Sequence, residues 1–316
     1  MKKTFICSAV WGEEYLEYFE NLCLKSLLKN NIIKSKNTHF YIYCEKNELQ
    51  KIKKLGNIKK LENLITVNYL FLDKRKENKY SYLANYQKKL ILMAKNLGYE
   101  YFIFCYPDTI FCNGYLKFCK KKLNKYGLIL SAAPLVNFEN LPENLSNFSK
   151  NNLSKLGNKC LSNFYKNRID DFYNRSNINL WKNEYYSYYK SFNLHILGVN
   201  LKKIIKLPNT NFVSFDENFF TFNVIKYDHI YYVKNSQENI ILTTESATSD
   251  RNNDKTDFPN LANKIGLNLE SIICNRIKKE KNFLNIFSFI YGDYYVVEKK
   301  NLSRITDCEF KKSINF

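Results

Sequence analysis

"YFIFCYPDTIFCNGYL", residues 101–116, decides the fold. It is an apolar, aromatic-rich strand that stops at Pro107 and presents one carboxylate, Asp108, before an Asn113-Gly114 turn. Apolar strands that end on a carboxylate are where α/β proteins keep ligand-handling groups, outside the carboxyl ends of a parallel sheet. A Pro-Asp pair is also a common turn starter, so the same residues have a plain structural reading.

The flanking chain supports a parallel sheet. "YSYLANYQKKLILMAKNLG" (80–98) has helical spacing and a terminating Gly98, and it leads straight into the strand. Upstream, "TFICSAVW" (4–11), "HFYIYCE" (39–45) and "LITVNYLFL" (64–72) are short β-rich runs. Between the first two, "EEYLEYFENLCLKSLLKNN" repeats apolar residues at helical spacing. "NELQKIKKLGNIKKLEN" reads as one polar-faced helix or two short ones. Alternation of this kind implies crossovers and a mainly parallel sheet.

Downstream, "KFCKKKLNKY" (117–126) predicts a short basic helix and "GLILSAAPL" (127–135) a strand. "NLHILGVNLKKI" (193–204), "HIYYVKNS" and "ENIILTTES" predict later strands. Helices are expected in "LSNFYKNRIDDFYNRSN", "NEYYSYYKSF" and "LESIICNRIKKEKNFLNIFSFIY". The expected architecture is one α/β domain over 1–250, a mainly parallel mixed sheet flanked by helices, with a helical C-terminal extension over 251–316.

Composition narrows the function. The 316 residues are rich enough in apolar and aromatic side chains for a large core. A net charge of +19 admits nucleic acid, an anionic membrane surface or an anionic substrate as partner. Lysines are spread along the whole chain and no nucleic-acid-binding motif accompanies them, so nucleic acid is not expected. The nine cysteines include no Cys-x-x-Cys pair and mostly sit in apolar surroundings, as expected of reduced thiols in a cytoplasmic protein. Neither a signal peptide nor a membrane span is read from the sequence. "FLNIFSFIY" beside "RIKKEK" leaves open a peripheral contact with the cytoplasmic face of an inner membrane, against the plainer reading of a docking helix.

Several chemistries lack their motifs. No GxGxxG follows the first strand, no GxxxxGK[ST] loop is present, and no Ser flanked by glycines marks a hydrolase. His39, His195 and His229 have no metal-ligand spacing. His39 opens a strand and reads as structural, whereas His195 is the candidate for the site.

The remaining pattern resembles the GT-A glycosyltransferases. "ICSAVWGEEYLEYFENLCLKSLL" is similar to that family's opening strand, donor loop and helix. "LGYEYFIFCYPDTIFCNGYL" resembles its Asp-x-Asp strand, and "SFDENFF" its later acidic motif. The resemblance covers roughly residues 4–245 and extends to bacterial sugar transferases with a degenerate Asp-x-Asp motif. It implies transfer of a sugar from a nucleotide-sugar donor to a glycan acceptor, in capsule or lipopolysaccharide synthesis. Alternatives are a non-catalytic relative that binds sugar nucleotide or a partner, and a nucleotidyltransferase.

The donor-binding residues it implies are Ala9, Val10, Trp11, Glu13, Tyr82, Lys88, Tyr106 and Asp108. Asp216, Glu217 and His195 are the implied catalytic candidates. The metal ligand would be Asp108, for Mn2+ or Mg2+. Tyr106 stands where the family has its first Asp, so metal dependence stays open, with Lys88 and Lys89 as alternative neutralising charges.

Overall fold

A computed structural model describes residues 2–30, 36–71, 79–160, 162, 179–182, 186–190, 194–206, 225–226, 229–233, 236–245 and 293–297. The three predicted N-terminal strands form as β1 (Thr4–Ala9), β2 (Thr38–Cys44) and β3 (Thr66–Phe71). The first crossover is α1 (Glu13–Tyr18), a π-helical segment (Phe19–Leu24) and α2 (Lys25–Leu28). The second is the pair α3 (Leu49–Lys54) and α4 (Gly56–Glu62), the two-helix version of the expectation. The Glu20 carboxylate accepts the Asn57 N–H at 3.0 Å and so caps the start of α4. Helix α5 (Lys79–Asn96) then leads into β4 (Tyr101–Phe104).

Two strands differ from expectation, and proline or sheet geometry accounts for each. After β4 the chain turns at Pro107 and Thr109–Phe111 becomes a separate strand, β5. Helix α6 (Tyr115–Lys125) follows, entered through Gly114 at φ 84°, a left-handed conformation that glycine adopts without a Cβ clash. The expected strand over 127–135 divides into β6 (Leu128–Ala132) and β7 (Leu135–Asn137), because Pro134 supplies no N–H to continue a ladder. Helix α7 (Lys150–Lys159) follows, with Ser149 Oγ capping the Asn152 N–H.

The helix expected in "NEYYSYYKSF" is instead β9 (Tyr186–Lys190), paired with β8 (Asn179–Lys182). A run of tyrosines satisfies either periodicity, and strand pairing decides it. The chain closes the main sheet with β10 (Leu194–Asn200) and β11 (Ile230–Tyr232), and then forms β12 (Ile241–Glu245). Within 251–316 the described residues are β13 (Asp293–Val297), antiparallel to β9. The helices expected over 161–177 and after 268 lie outside the described residues.

Among the described residues the main sheet has seven strands in the order β11-β6-β10-β4-β1-β2-β3. Neighbouring pairs are parallel except where β10 runs against β4 and β6. A mainly parallel mixed sheet flanked by helices is therefore the observed class. A second sheet, β5-β12-β7, joins the turn after β4 to a strand far along the chain. Its members are all buried, which ties it into the same core.

The centre of the core is an aromatic row. The Phe5 ring stacks on Tyr41 (centroids 3.8 Å apart) and on Phe102 (5.0 Å), with the Tyr99 ring edge-on at 5.2 Å. Seven described cysteines are free and buried, as expected of reduced core thiols. His39 is structural: its Nδ1 accepts the Tyr99 hydroxyl at 2.5 Å, while Nε2 lies 3.1 Å from the Lys36 carbonyl.

At the amino end of β4, Glu100 pairs with Lys2 (2.5 Å) and Lys202 (2.8 Å). Desolvation pushes its carboxyl up, but the bonds from Lys2 and Lys202 outweigh it and hold the group below the ordinary carboxylate range. A folded pKa below the unfolded one contributes stability above the unfolded value of about 4.3, and that stability is lost as pH falls through the folded value. Glu100→Gln is therefore expected to lower the urea midpoint at pH 7. The gap from wild type should narrow as pH falls below about 4.3; a gap that stays constant as the pH is lowered would contradict this account.

Candidate functional site

The strand order positions the site. From β1 the chain moves outward to β2 and β3, then returns through α5 to β4 on the other side of β1. Where strand order reverses in an open α/β sheet, a crevice opens outside the carboxyl ends. In this sheet the reversal falls between β1 and β4, so the candidate site is the set of residues that follow these two strands.

On the β1 side, Val10 extends the ladder, its N–H donating to the Tyr43 carbonyl at 2.7 Å, and its side chain is buried in the core. Ala9 and Trp11 are half-buried, with the Trp11 ring 6.5 Å from that of Tyr15. Gly12 then turns the chain at φ 84°, ψ 150°, a region essentially restricted to glycine. Its carbonyl receives the Leu16 N–H at 3.0 Å, which starts α1. Its N–H donates to Glu48 Oε1 at 2.5 Å.

Glu48 follows β2 and precedes α3, and only 8% of it is exposed. Its second oxygen, Oε2, is buried and has no hydrogen-bond partner among the described residues. Burial first, and the Glu48 charge second, push the neighbouring Cys44 thiol up to about 11. A buried carboxylate oxygen without a donor is costly, so the position of Glu48 beside the Gly12 turn calls for an explanation.

On the β4 side, Thr109 N–H bonds to Tyr106 O at 3.2 Å and closes a turn with Pro107 at its second position. Asp108 thus stands both in a Pro-Asp turn and at the carboxyl end of β4. Its backbone carbonyl accepts from Thr244 N (2.8 Å) and Thr244 Oγ1 (3.0 Å), which anchors the turn to β12. The carboxylate is half-buried, 3.5 Å from the Thr109 hydroxyl, and its charge is the second cause, after burial, that raises the Cys23 thiol. Alternation along β12 directs Glu245 to the other face, where it is buried and accepts the Ser162 hydroxyl.

The structure brings His195 to Tyr106. Because β10 runs antiparallel to its neighbours, its first residues lie at the carboxyl end of β4. The two rings meet edge to face at 5.1 Å, and the Tyr106 hydroxyl donates to the Ile196 carbonyl at 3.2 Å.

Other candidates are placed differently. Glu13 is exposed on α1, paired with Lys51 at 2.8 Å. Lys88 is half-buried on α5, and next to it the Lys89 ammonium lies 5.1 Å from the Tyr86 ring. Tyr82 lies in the first half of α5, and its side chain is outside the described residues, as are Asp216 and Glu217. Glu48 is the residue that sequence reasoning missed. Nothing local separates it from Glu45, three residues earlier.

The fit to a divalent cation is poor. The turn offers one carboxylate, and the phenol at the other motif position is bonded to a backbone carbonyl. Among the described residues no group of three or more His, Cys, Asp or Glu side chains is placed to hold a metal ion. Hard cations of this kind take six or more oxygens, so the described residues by themselves do not form such a site. No described helix is long and apolar enough to cross a membrane.

The fold is that of an α/β protein with a mainly parallel sheet, and its candidate ligand site is the carboxyl edge of that sheet. No family model and no curated protein matches the chain. Solved structures that resemble it include S. aureus TarS, at 16% identity over 45% of this chain and 23% of that one, with a TM-score of 0.31. TarS 1-349 from the same organism gives 17% identity over 45% and 38%, with a TM-score of 0.31. TarS 1-349 in complex with UDP-GlcNAc gives 16% over 45% and 37%, with a TM-score of 0.32. The match thus spans well under half the length of each TarS chain. Likeness of this degree assigns neither an activity nor a ligand.

Proposed function

We propose that the chain is a GT-A-like glycosyltransferase that moves a sugar from a nucleotide-sugar donor to a hydroxyl of a glycan acceptor, in capsule or lipopolysaccharide synthesis. The observation that carries this reading is the strand order β4-β1-β2, since Gly12, Glu48, Tyr106 and Asp108 all follow the carboxyl ends of these neighbouring strands. It is supported by the absence of dehydrogenase, phosphate-loop and hydrolase motifs and by the resemblance of residues 4–28 and 95–116 to that family.

In this reading the donor base lies beside Trp11 and Gly12, and Glu48 holds the Gly12 turn in place by accepting its N–H. Asp108 accepts hydroxyls of the donor. In the reaction the acceptor oxygen bonds to the anomeric carbon, the bond from that carbon to the diphosphate breaks, and the acceptor proton passes to a base. His195, beside Tyr106, is one candidate base; Asp216 and Glu217, which the family resemblance implies, are the others. Lys88 and other cationic side chains balance the leaving diphosphate.

A second reading is a non-catalytic relative that binds the nucleotide sugar, favoured by Tyr106 in place of a carboxylate. Thermal melting with UDP-, GDP- and CMP-sugars, with and without Mn2+ or Mg2+, tests both. Saturation at 100 Kd should stabilise the fold by about 2.7 kcal/mol. A shift with donor hydrolysis supports the enzyme, and a shift without turnover in any acceptor mixture supports the binding protein. No shift with any sugar nucleotide removes both. Glu48→Gln weakens the charge-assisted bond to the Gly12 N–H and so loosens the turn, and sugar-nucleotide affinity should fall about 10-fold or more. Unchanged affinity in isothermal titration would take Glu48 out of the donor site.

A further inference from the structure

We propose that Ser26 is the positioning residue of the Asp108 turn, an inference that rests on Asp108 belonging to the proposed donor site. Ser26 is fully buried at the start of α2, directly after the π-helical segment. Its hydroxyl donates to the Cys23 carbonyl inside that segment at 3.0 Å and accepts the Phe111 N–H at 3.1 Å. A hydroxyl has one donor and two lone pairs, so both bonds form together.

The second bond does what a neighbouring strand would do. In the small sheet β5 is an edge, with β12 on its inner side. The Asp108 carbonyl is tied inward to Thr244, and Cys112 N–H donates inward to the Ile240 carbonyl at 3.2 Å. The outward N–H of Phe111, three residues after Asp108, has Ser26 as its partner. The turn is thus held from both sides, by β12 and by the helix that begins at Gly12. π-Helical turns recur at functional sites because they displace the residues around them from regular α register. Here the segment sets the Cys23 carbonyl to orient the Ser26 hydroxyl toward β5. Burial first and the Asp108 charge second raise the Cys23 thiol, and the second cause agrees with the closeness of the segment to the turn.

Hydrogen exchange on the full chain, read by peptide, tests this together with donor turnover. In Ser26→Ala, exchange over residues 106–112 should accelerate about 10-fold while β1 and β2 peptides keep wild-type protection. Turnover at saturating donor should fall, and Ser26→Thr, which keeps the hydroxyl, should recover both. If Ser26→Thr is too crowded to fold, Ser26→Cys should recover them in part. Equal acceleration in all peptides, or none over 106–112, overturns the proposal, and so does local acceleration with unchanged turnover. If the wild type neither binds nor turns over a sugar nucleotide, the proposed function fails, and Ser26 then loses its role in a reaction whatever the exchange pattern shows.

Discussion

Asp108→Asn is expected to reduce donor turnover by about 10²–10³-fold, the usual cost of removing one preorganised charged group from a reacting centre. Its melting temperature should stay within about 2 °C of wild type, a change below roughly 1 kcal/mol. The separation follows from how the turn is held. Its bonds to β12 run through the Asp108 backbone carbonyl, and the turn is closed by Thr109 N–H on Tyr106 O. None of these uses the carboxylate. Asn keeps the size of the side chain and removes its charge. Steady-state turnover paired with a thermal melt decides it. Turnover within twofold of wild type would make Asp108 a turn residue only, and a large drop in melting temperature would make it structural.

The largest effect on stability is expected far from that edge, at Phe5→Ala. Phe5 is fully buried, stacked between Tyr41 and Phe102 with Tyr99 edge-on. Truncating a buried Phe costs about 3–5 kcal/mol in lost transfer energy and cavity, and aromatic contacts add to that. For a chain of this size the shift should be about 8 °C or more. Phe71, 43% exposed at the edge strand β3, is the control: Phe71→Ala should change the urea midpoint little, since little area is lost. A Phe5→Ala protein as stable as the control would show that the aromatic row is not the centre of the core.

Much of the sheet was legible because its signals are local. Apolar runs of strand length alternate with helical spacing, so β1, β2, β3, α5 and β4 fall where periodicity places them, within a few residues. Gly98 and Gly114 mark a helix end and a helix start because both take positive φ. Where local signals are degenerate the reading fails. The tyrosines of 186–190 fit a helix or a strand, and pairing with β8 and β13 makes them a strand. The run "GLILSAAPL" looks continuous, yet Pro134 sends its two ends into different sheets.

The candidate site divides along the same line. The position of Asp108 at the end of an apolar strand, the glycine after Trp11, and the phenol at 106 where the family resemblance expects an acid are properties of short segments. Sequence alone determined them, since strand length, turn chemistry and motif spacing act over a few residues. Tertiary structure decided which groups come together at the carboxyl edge of the sheet. Thr244 anchors Asp108 from 136 residues away, and Glu48 reaches the Gly12 amide from 36 residues away. His195 meets Tyr106 because β10 runs antiparallel, and Ser26 closes the open edge of β5. Those contacts arise from strand order and register, which depend on how the whole chain buries its apolar surface and pairs its backbone groups. No local period encodes that.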